Sequence, residues 1–259
     1  MFHRIYASIL ISACLFTAMP AAATSCTIRA AWDENPPMSM RGADGTMTGL
    51  NVDIVQALGQ RCGCRIDWRE MPWPRALTAL SQGRVDLLPG ASLTPERERS
   101  AFPLGPYGPA RRIGIVARTD DMGQSLVPNT MAALLAQPDL RIGIVQGATY
   151  GPEFNKVRLT LESRRQLEQA RSFEQLYDML RVGNIDGLIV DMDYFQQSIR
   201  RTKALDHVVD SGLTLAELRG HLLLSRASPL AGWGAELNSC LRSLDDDGTI
   251  PAIFARWLP

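Results

Sequence analysis

Lysine is nearly missing from this chain. Lys156 and Lys203 are the only two, so almost all of the positive charge is arginine. That composition suits carboxylate recognition, and it follows equally well from codon bias. Neither sign of charge is in excess, with 27 basic against 27 acidic side chains. The basic field needed for a nucleic-acid or membrane-surface role is lacking, so no nucleic-acid partner is expected. Beyond residue 23 no apolar run is long enough to span a bilayer. Histidine is scarce too. After His3 only His207 and His221 occur, neither spaced from a cysteine as zinc ligands are, so neither a metal nor a cofactor is expected. No nucleophile elbow, metal triad or phosphate loop is found.

The chain opens with an export signal: a basic start at His3 and Arg4, an apolar run from Ile5 to Met19, and a small-residue cleavage site at Ala21-Ala22-Ala23. Ile11-Ser12-Ala13-Cys14 resembles a lipoprotein box. Apolar sequence continues past Cys14, which favours removal of residues 1–23 and release into an oxidising compartment, the periplasm. Removing Arg4 with that segment leaves 26 basic against 27 acidic side chains. The remaining chain, about 236 residues, can build one large domain or two lobes. Its four cysteines, Cys26, Cys62, Cys64 and Cys240, favour disulfides, with three connectivities open. Cys62 and Cys64 are too close to bridge each other without strain.

The hydrophobic pattern predicts a strand over Thr27 to Trp32, a turn at Asn35-Pro36-Pro37, and a hairpin tip at Asp44-Gly45. A helix over about 50–61 follows, its spacing carried by Leu50, Ile54, Val55 and Leu58. Next come a strand from Arg65 to Glu70, a helix from Pro74, a strand from Val85 to Leu88, and a turn at Pro89-Gly90. Thr94 is an N-cap and Pro95 a first helical residue, so a helix starts there with Arg97 in its first turn. By itself Arg97 reads as a solvated arginine or as half of an anion site. A second, similar pattern follows: a strand from Arg141 to Gln146, a turn at Gly147 to Tyr150 into a helix, a Ser172/Gln175 capping box opening a helix over Phe173 to Val182, and a strand from Ile185 to Val190. Trp73, Leu80, Gly83 and Asp86 match Phe173, Leu180, Gly183 and Asp186 without a gap, as two similar lobes would. Alternating strands and helices predict an α/β fold with open, mostly parallel sheets. Ile113 to Val116 and Leu222 to Leu224 read as two strands crossing between the lobes. The chain then returns to finish the first lobe with the helices of Leu230 to Trp257.

These pieces, in this order, resemble the periplasmic solute-binding proteins of the polar amino acid class, bacterial extracellular family 3, over nearly the whole chain after residue 23. The matching parts are Pro37-Met38, Gly49 to Asp53, Trp73, Gly83 to Asp86, Thr94 to Arg97, Phe102, Pro106-Tyr107, Gln146 to Thr149, Gly183 to Asp186, Asp191, Asp247-Gly248 and Trp257. The resemblance implies a two-lobed type II periplasmic binding fold joined by two hinge strands. Lobe one would comprise residues 24–112 and 224–259, and lobe two residues 113–223. It also implies a monomer that passes a small ligand, an amino acid or related carboxylate, to an ABC permease. Carried over, Arg97 would hold the ligand's α-carboxylate in a bidentate pair. Thr149, at a helix start, would donate to the same group. Asp191 would accept the ammonium, Trp73 would stack on the ligand side chain, Ser92 would line the wall beside it, and the turn from Trp32 to Asn35 would form another wall. The residues alone also permit a plain N-cap at Thr149, core packing for Trp73 and a solvated strand end at Asp191.

Two departures blur the ligand. Pro89-Gly90-Ala91 lacks the serine hydroxyls of well-matched amino acid binders, and Arg75, in Pro72-Trp73-Pro74-Arg75-Ala76, would add a second positive group. The resemblance also admits an enzyme of the cyclohexadienyl dehydratase type, for which Met192-Asp193-Tyr194 is a poor match, and a ligand-presenting role in signalling. Strand placement suggests disulfides Cys26–Cys64, on neighbouring strands, and Cys62–Cys240, between the first helix and the returning C-terminal helix.

Overall fold

The computed structural model describes residues 26–201 and 207–258. The export signal over residues 1–23, and with it the choice between cleavage after Ala23 and processing at Cys14, lies outside them.

Strand β1 (Cys26–Trp32) buries Ile28 and Ala30 and leaves Thr27 and Arg29 partly exposed, the alternation of a pleated strand. A small hairpin, β2 (Met40–Arg41) and β3 (Met47–Thr48), encloses Asp44-Gly45. Helix α1 (Leu50–Cys62) buries Leu50, Ile54, Val55 and Leu58 on one face and stops where Gly63 turns left-handed. Then come β4 (Cys64–Glu70), α2 (Trp73–Ser81), β5 (Leu87–Ala91) and α3 (Pro95–Ser100). The long β6 (Ala101–Arg118) leads into the second lobe, which contains α4 (Met131–Leu135), β7 (Ile142–Val145), α5 (Pro152–Ser163), β8 (Leu167–Ala170), α6 (Phe173–Arg181), β9 (Gly187–Asp191) and α7 (Met192–Arg201). Strand β10 (Val208–Ser225) brings the chain back to α8 (Gly234–Asp246) and α9 (Thr249–Trp257).

The fold is the two-lobed α/β arrangement. Each lobe contributes three parallel strands flanked by one antiparallel crossing strand, β4-β1-β5-β10 in one and β8-β7-β9-β6 in the other. The crossing strands pair with each other along most of their length, so the two halves share one eight-stranded sheet. These strands run well beyond the short apolar stretches that mark them in the sequence, because their flanks are polar and proline-rich yet still paired. Separate cores form around Leu50, Ile54, Leu222 and Leu241 in lobe one and around Ile115, Phe154, Ile189 and Leu188 in lobe two.

The internal repeat goes deeper than the four matched positions. In lobe one, Asp86 accepts from the Arg29 backbone N–H at 2.8 Å, and the Arg29 guanidinium donates to the Gly83 carbonyl at 2.9 Å. In lobe two, Asp186 accepts from the Arg141 N–H at 2.9 Å and Arg141 donates to the Gly183 carbonyl at 2.8 Å. Each aspartate thus ties the strand it precedes to the neighbouring parallel one, at the middle of β1 and at the start of β7.

Two expectations need correction, and one strand was not foreseen. Pro89-Gly90 is no turn: β5 continues through it to Ala91, which pairs with His221 across a register shift. Gly90 takes φ 74°, and a Cβ there would lie 2.7 Å from Asn51 Nδ2, so the backbone kinks without reversing. Helix α5 starts at Pro152, after the N-cap Gly151 at φ 93°, so Thr149 sits in the preceding loop and not at a helix start. The buried Tyr150 hydroxyl, accepting from the Val145 N–H at 2.7 Å, fixes that loop. Strand β8, with the sequence LEQA, has no apolar run to announce it; it is recruited by parallel pairing with β7. Both disulfides join the suggested partners: Cys26–Cys64 between facing residues of β1 and β4, and Cys62–Cys240 between α1 and α8.

Candidate ligand-binding site

Between the lobes lies a cavity of about 150 Å³. That is room for on the order of ten water-sized spheres, the scale of a free amino acid rather than a peptide. The ends of β1, β5 and β9, the starts of α1, α2, α6 and α7, and the loop before α5 all contribute to its walls. Trp73, Ser92, Arg97, Thr149 and Asp191 all line it.

Arg97 is held by the local fold. The Thr94 hydroxyl accepts from the Arg97 backbone N–H at 3.2 Å, capping α3 and aiming the side chain back over the helix start. The side chain is buried, its Nη1 donating to the Ser92 carbonyl at 2.5 Å and its Nη2 crossing between lobes to the Gly147 carbonyl at 2.9 Å. No carboxylate among the described residues forms an ion pair with it. A guanidinium carries five N–H donors, so three remain. Burial pulls Arg97 down to about 10, which leaves it cationic at neutral pH. A buried cation of this kind has donors to spare for a further acceptor oxygen.

Trp73 packs against core residues of both lobes while Arg97 stacks over its ring, 5.4 Å from the centroid. It is therefore both a packing residue and a cavity wall. Thr149 faces the cavity from its loop, and Ser92 turns its carbonyl to Arg97. Asp191 ends β9, and its surroundings differ from the expectation. Arg111, from β6, donates through Nε to Asp191 Oδ2 at 2.6 Å, and both side chains are buried. Burial pushes the Asp191 carboxyl up, opposed by the guanidinium beside it. Burial also works against the Arg111 charge, but Tyr194 and Asp191 hold it above its usual range. Asp191 Oδ1 has no hydrogen-bond partner among the described residues. The second positive group is thus Arg111; Arg75 is exposed and does not line the cavity.

Two further residues lie in stretches the sequence marks, Asp33 in the expected wall turn Trp32 to Asn35 and Tyr107 in Pro106-Tyr107, but had no role of their own there. Asp33, in the wall turn after β1, forms no ion pair among the described residues, and burial pushes its carboxyl up to about 6. Tyr107, wholly buried on β6, accepts from the Gly90 N–H at 2.9 Å and donates to Asn51 Oδ1 at 3.1 Å. Its hydroxyl stands in for the missing serines in bracing the Pro89-Gly90-Ala91 wall. An aspartate two residues before the first proline turn was the available signal for Asp33. Nothing in the local sequence separates Arg111 from Arg112.

Comparison with known proteins agrees with this architecture. The sequence pattern of bacterial extracellular solute-binding proteins, family 3, matches residues 28–259. The L-cystine-binding protein TcyJ of Escherichia coli (strain K12) is 26% identical over 232 residues, covering 86% of this chain and 78% of that protein. Among solved structures, an ancestral arginine-binding protein bound to arginine superposes with a TM-score of 0.74 at 19% identity, covering 90% of this chain and 98% of the other. An ancestral amino acid-binding protein, a precursor of cyclohexadienyl dehydratase, gives a TM-score of 0.71 at 18% identity, covering 90% and 96%.

Proposed function

This chain belongs to family 3 of the bacterial extracellular solute-binding proteins, and from that premise we propose that it is a periplasmic receptor that clamps a free amino acid and delivers it to an ABC importer. The observation that carries the reading is the buried Arg97 guanidinium, without a carboxylate partner among the described residues, lining the same cavity as Asp191 with its unpartnered Oδ1. A zwitterion answers both. Its α-carboxylate takes the remaining donors of Arg97 with help from Thr149, and its ammonium takes Asp191 Oδ1. Trp73 and Ser92 complete the walls. Lobe one (24–112 and 224–259) supplies Arg97, and lobe two (113–223) supplies Thr149 and Asp191. Ligand that bridges them favours the closed arrangement by its differential affinity for it.

Relatives named for cystine and arginine binding support the amino acid class. Among the described residues no helix is long and apolar enough to cross a membrane. The dehydratase reading has less support. Its acidic residue would have to be Asp193, which is exposed and does not line the cavity.

A thermal-shift screen of the purified chain against the common amino acids and small organic acids tests the reading. Ligand at ~100 times its dissociation constant adds roughly 2.7 kcal/mol of stability. A response confined to non-amino acids would remove the proposed class, and formation of aromatic product from prephenate or arogenate would replace it with an enzyme.

A further inference from the structure

Five residues that line the cavity carry a buried polar atom without a hydrogen-bond partner among the described residues: Trp68 and Trp73 at Nε1, and Arg111 Nη1, Asp191 Oδ1 and Tyr194 Oη, the last three grouped around the Arg111 guanidinium. Buried polar groups are nearly always satisfied, so three together mark a place that a polar ligand completes. Their arrangement is rigid. Arg111 is only 5% exposed and is anchored to Asp191 through Nε. Its guanidinium lies 4.8 Å from the centroid of the Tyr194 ring. Tyr194 rises from the first turn of α7 and packs against the lobe-one core, so its hydroxyl is held at the junction of the lobes.

The chemistry of the three atoms differs. Asp191 Oδ1 only accepts, which suits the ammonium already assigned to it under the proposed function, on which this inference rests. Arg111 Nη1 only donates, and the Tyr194 hydroxyl can donate as well. Together they call for a second acceptor oxygen on the ligand, separate from the α-carboxylate at Arg97. Charge decides which kind. The cavity already balances Arg97 and Arg111 against Asp33 and Asp191. A neutral zwitterion preserves that balance, whereas a side-chain carboxylate would bury an extra negative charge, which is costly without a partner.

We propose that Arg111 and Tyr194 form a specificity subsite that accepts the carbonyl oxygen of a neutral carboxamide side chain, so that the receptor prefers amino acids of the glutamine or asparagine type. Asp191 then has two tasks: it takes the ammonium on one oxygen and fixes Arg111 with the other.

Calorimetric titration of the full mature chain with glutamine, asparagine, glutamate and norleucine tests this. Norleucine matches the length of glutamine and lacks the carbonyl. The wild type should bind glutamine or asparagine at least about tenfold more tightly than norleucine, since a site built for a hydrogen bond penalises a ligand without one. Tyr194→Phe keeps the ring over Arg111 and removes only the hydroxyl. It should cut the carboxamide affinity by about tenfold and leave norleucine within about twofold. Arg111→Lys keeps the charge against Asp191 and should likewise narrow the preference. Equal binding of norleucine and glutamine, a preference for glutamate, or selectivity unmoved by Tyr194→Phe would overturn the subsite while leaving an amino acid receptor. Failure of every amino acid to bind would overturn both.

Discussion

Arg97 and Asp191 illustrate how differently two buried charges can be held. Arg97 has neutral partners, the Ser92 and Gly147 carbonyls, and keeps donors in reserve. Arg97→Ala should weaken carboxylate ligands by more than about a hundredfold, read by calorimetry, because charge-assisted bidentate pairs are among the strongest contacts available. Its effect on unfolding should be small by comparison. Asp191 is instead half of a buried ion pair. Asp191→Ala strands the Arg111 charge and should cost about 3–5 kcal/mol in a denaturant titration, besides weakening ligands that carry an ammonium. Asp33 gives a pH signature. Its folded pKa, about 6, lies above its unfolded value, so the folded state binds more protons across the interval between the two. Stability is therefore lost as pH rises through about 4 to 6. Asp33→Asn should raise the melting temperature at pH 7.5, by an amount equivalent to at most roughly 3 kcal/mol, and the gain should vanish below pH 4 or so. At this scale Arg97 was readable, since Thr94-Pro95 fixes the helix start that aims it. Arg111 was not, because the direction of a strand side chain depends on the register of β6 against β9 and β10.

Among the elements, those that satisfy themselves locally matched their sequence signals. Helix α1 and the Ser172 cap of α6 need only spacing and one side-chain oxygen, the latter accepting the Gln175 N–H at 3.3 Å. Elements whose geometry is imposed by a neighbour did not. Strand β5 runs through a proline and a glycine because pairing with β10 and the Tyr107 hydroxyl, which accepts from the Gly90 N–H, hold it extended. The start of α5 is delayed because the loop holding Thr149 closes against β10, where a Cβ on Gly151 would come within 2.3 Å of Ala216 Cβ. Gly151→Ala should cost on the order of 1–3 kcal/mol from a strained φ and disturb Thr149 with it, a loss visible both in melting and in ligand affinity. The Cys62–Cys240 bridge joins residues separated by 178 positions and ties α1 to α8 on the side of lobe one away from the cavity lining. Replacing both cysteines by serine should lower stability by roughly 2–4 kcal/mol with ligand affinity kept within about twofold.

Across the whole molecule, the two lobes share one sheet through β6 and β10, and they touch again where Arg97 meets Gly147 and Trp73 packs into both cores. Closure on ligand should therefore change tryptophan emission, with Trp73→Phe removing most of the signal. By itself the sequence determined the class of fold and its duplication. Alternation of strands and helices, the repeated Gly–Asp register and the capped helix at Arg97 are short-range patterns, set by backbone sterics and local hydrogen bonding, and they survive without knowledge of the partner lobe. Only the tertiary structure decided which further groups meet the named residues in the cavity. Arg111, Asp33 and Tyr194 come from three separate stretches of chain and line one cavity, where desolvation makes the ionisation of each depend on its neighbours.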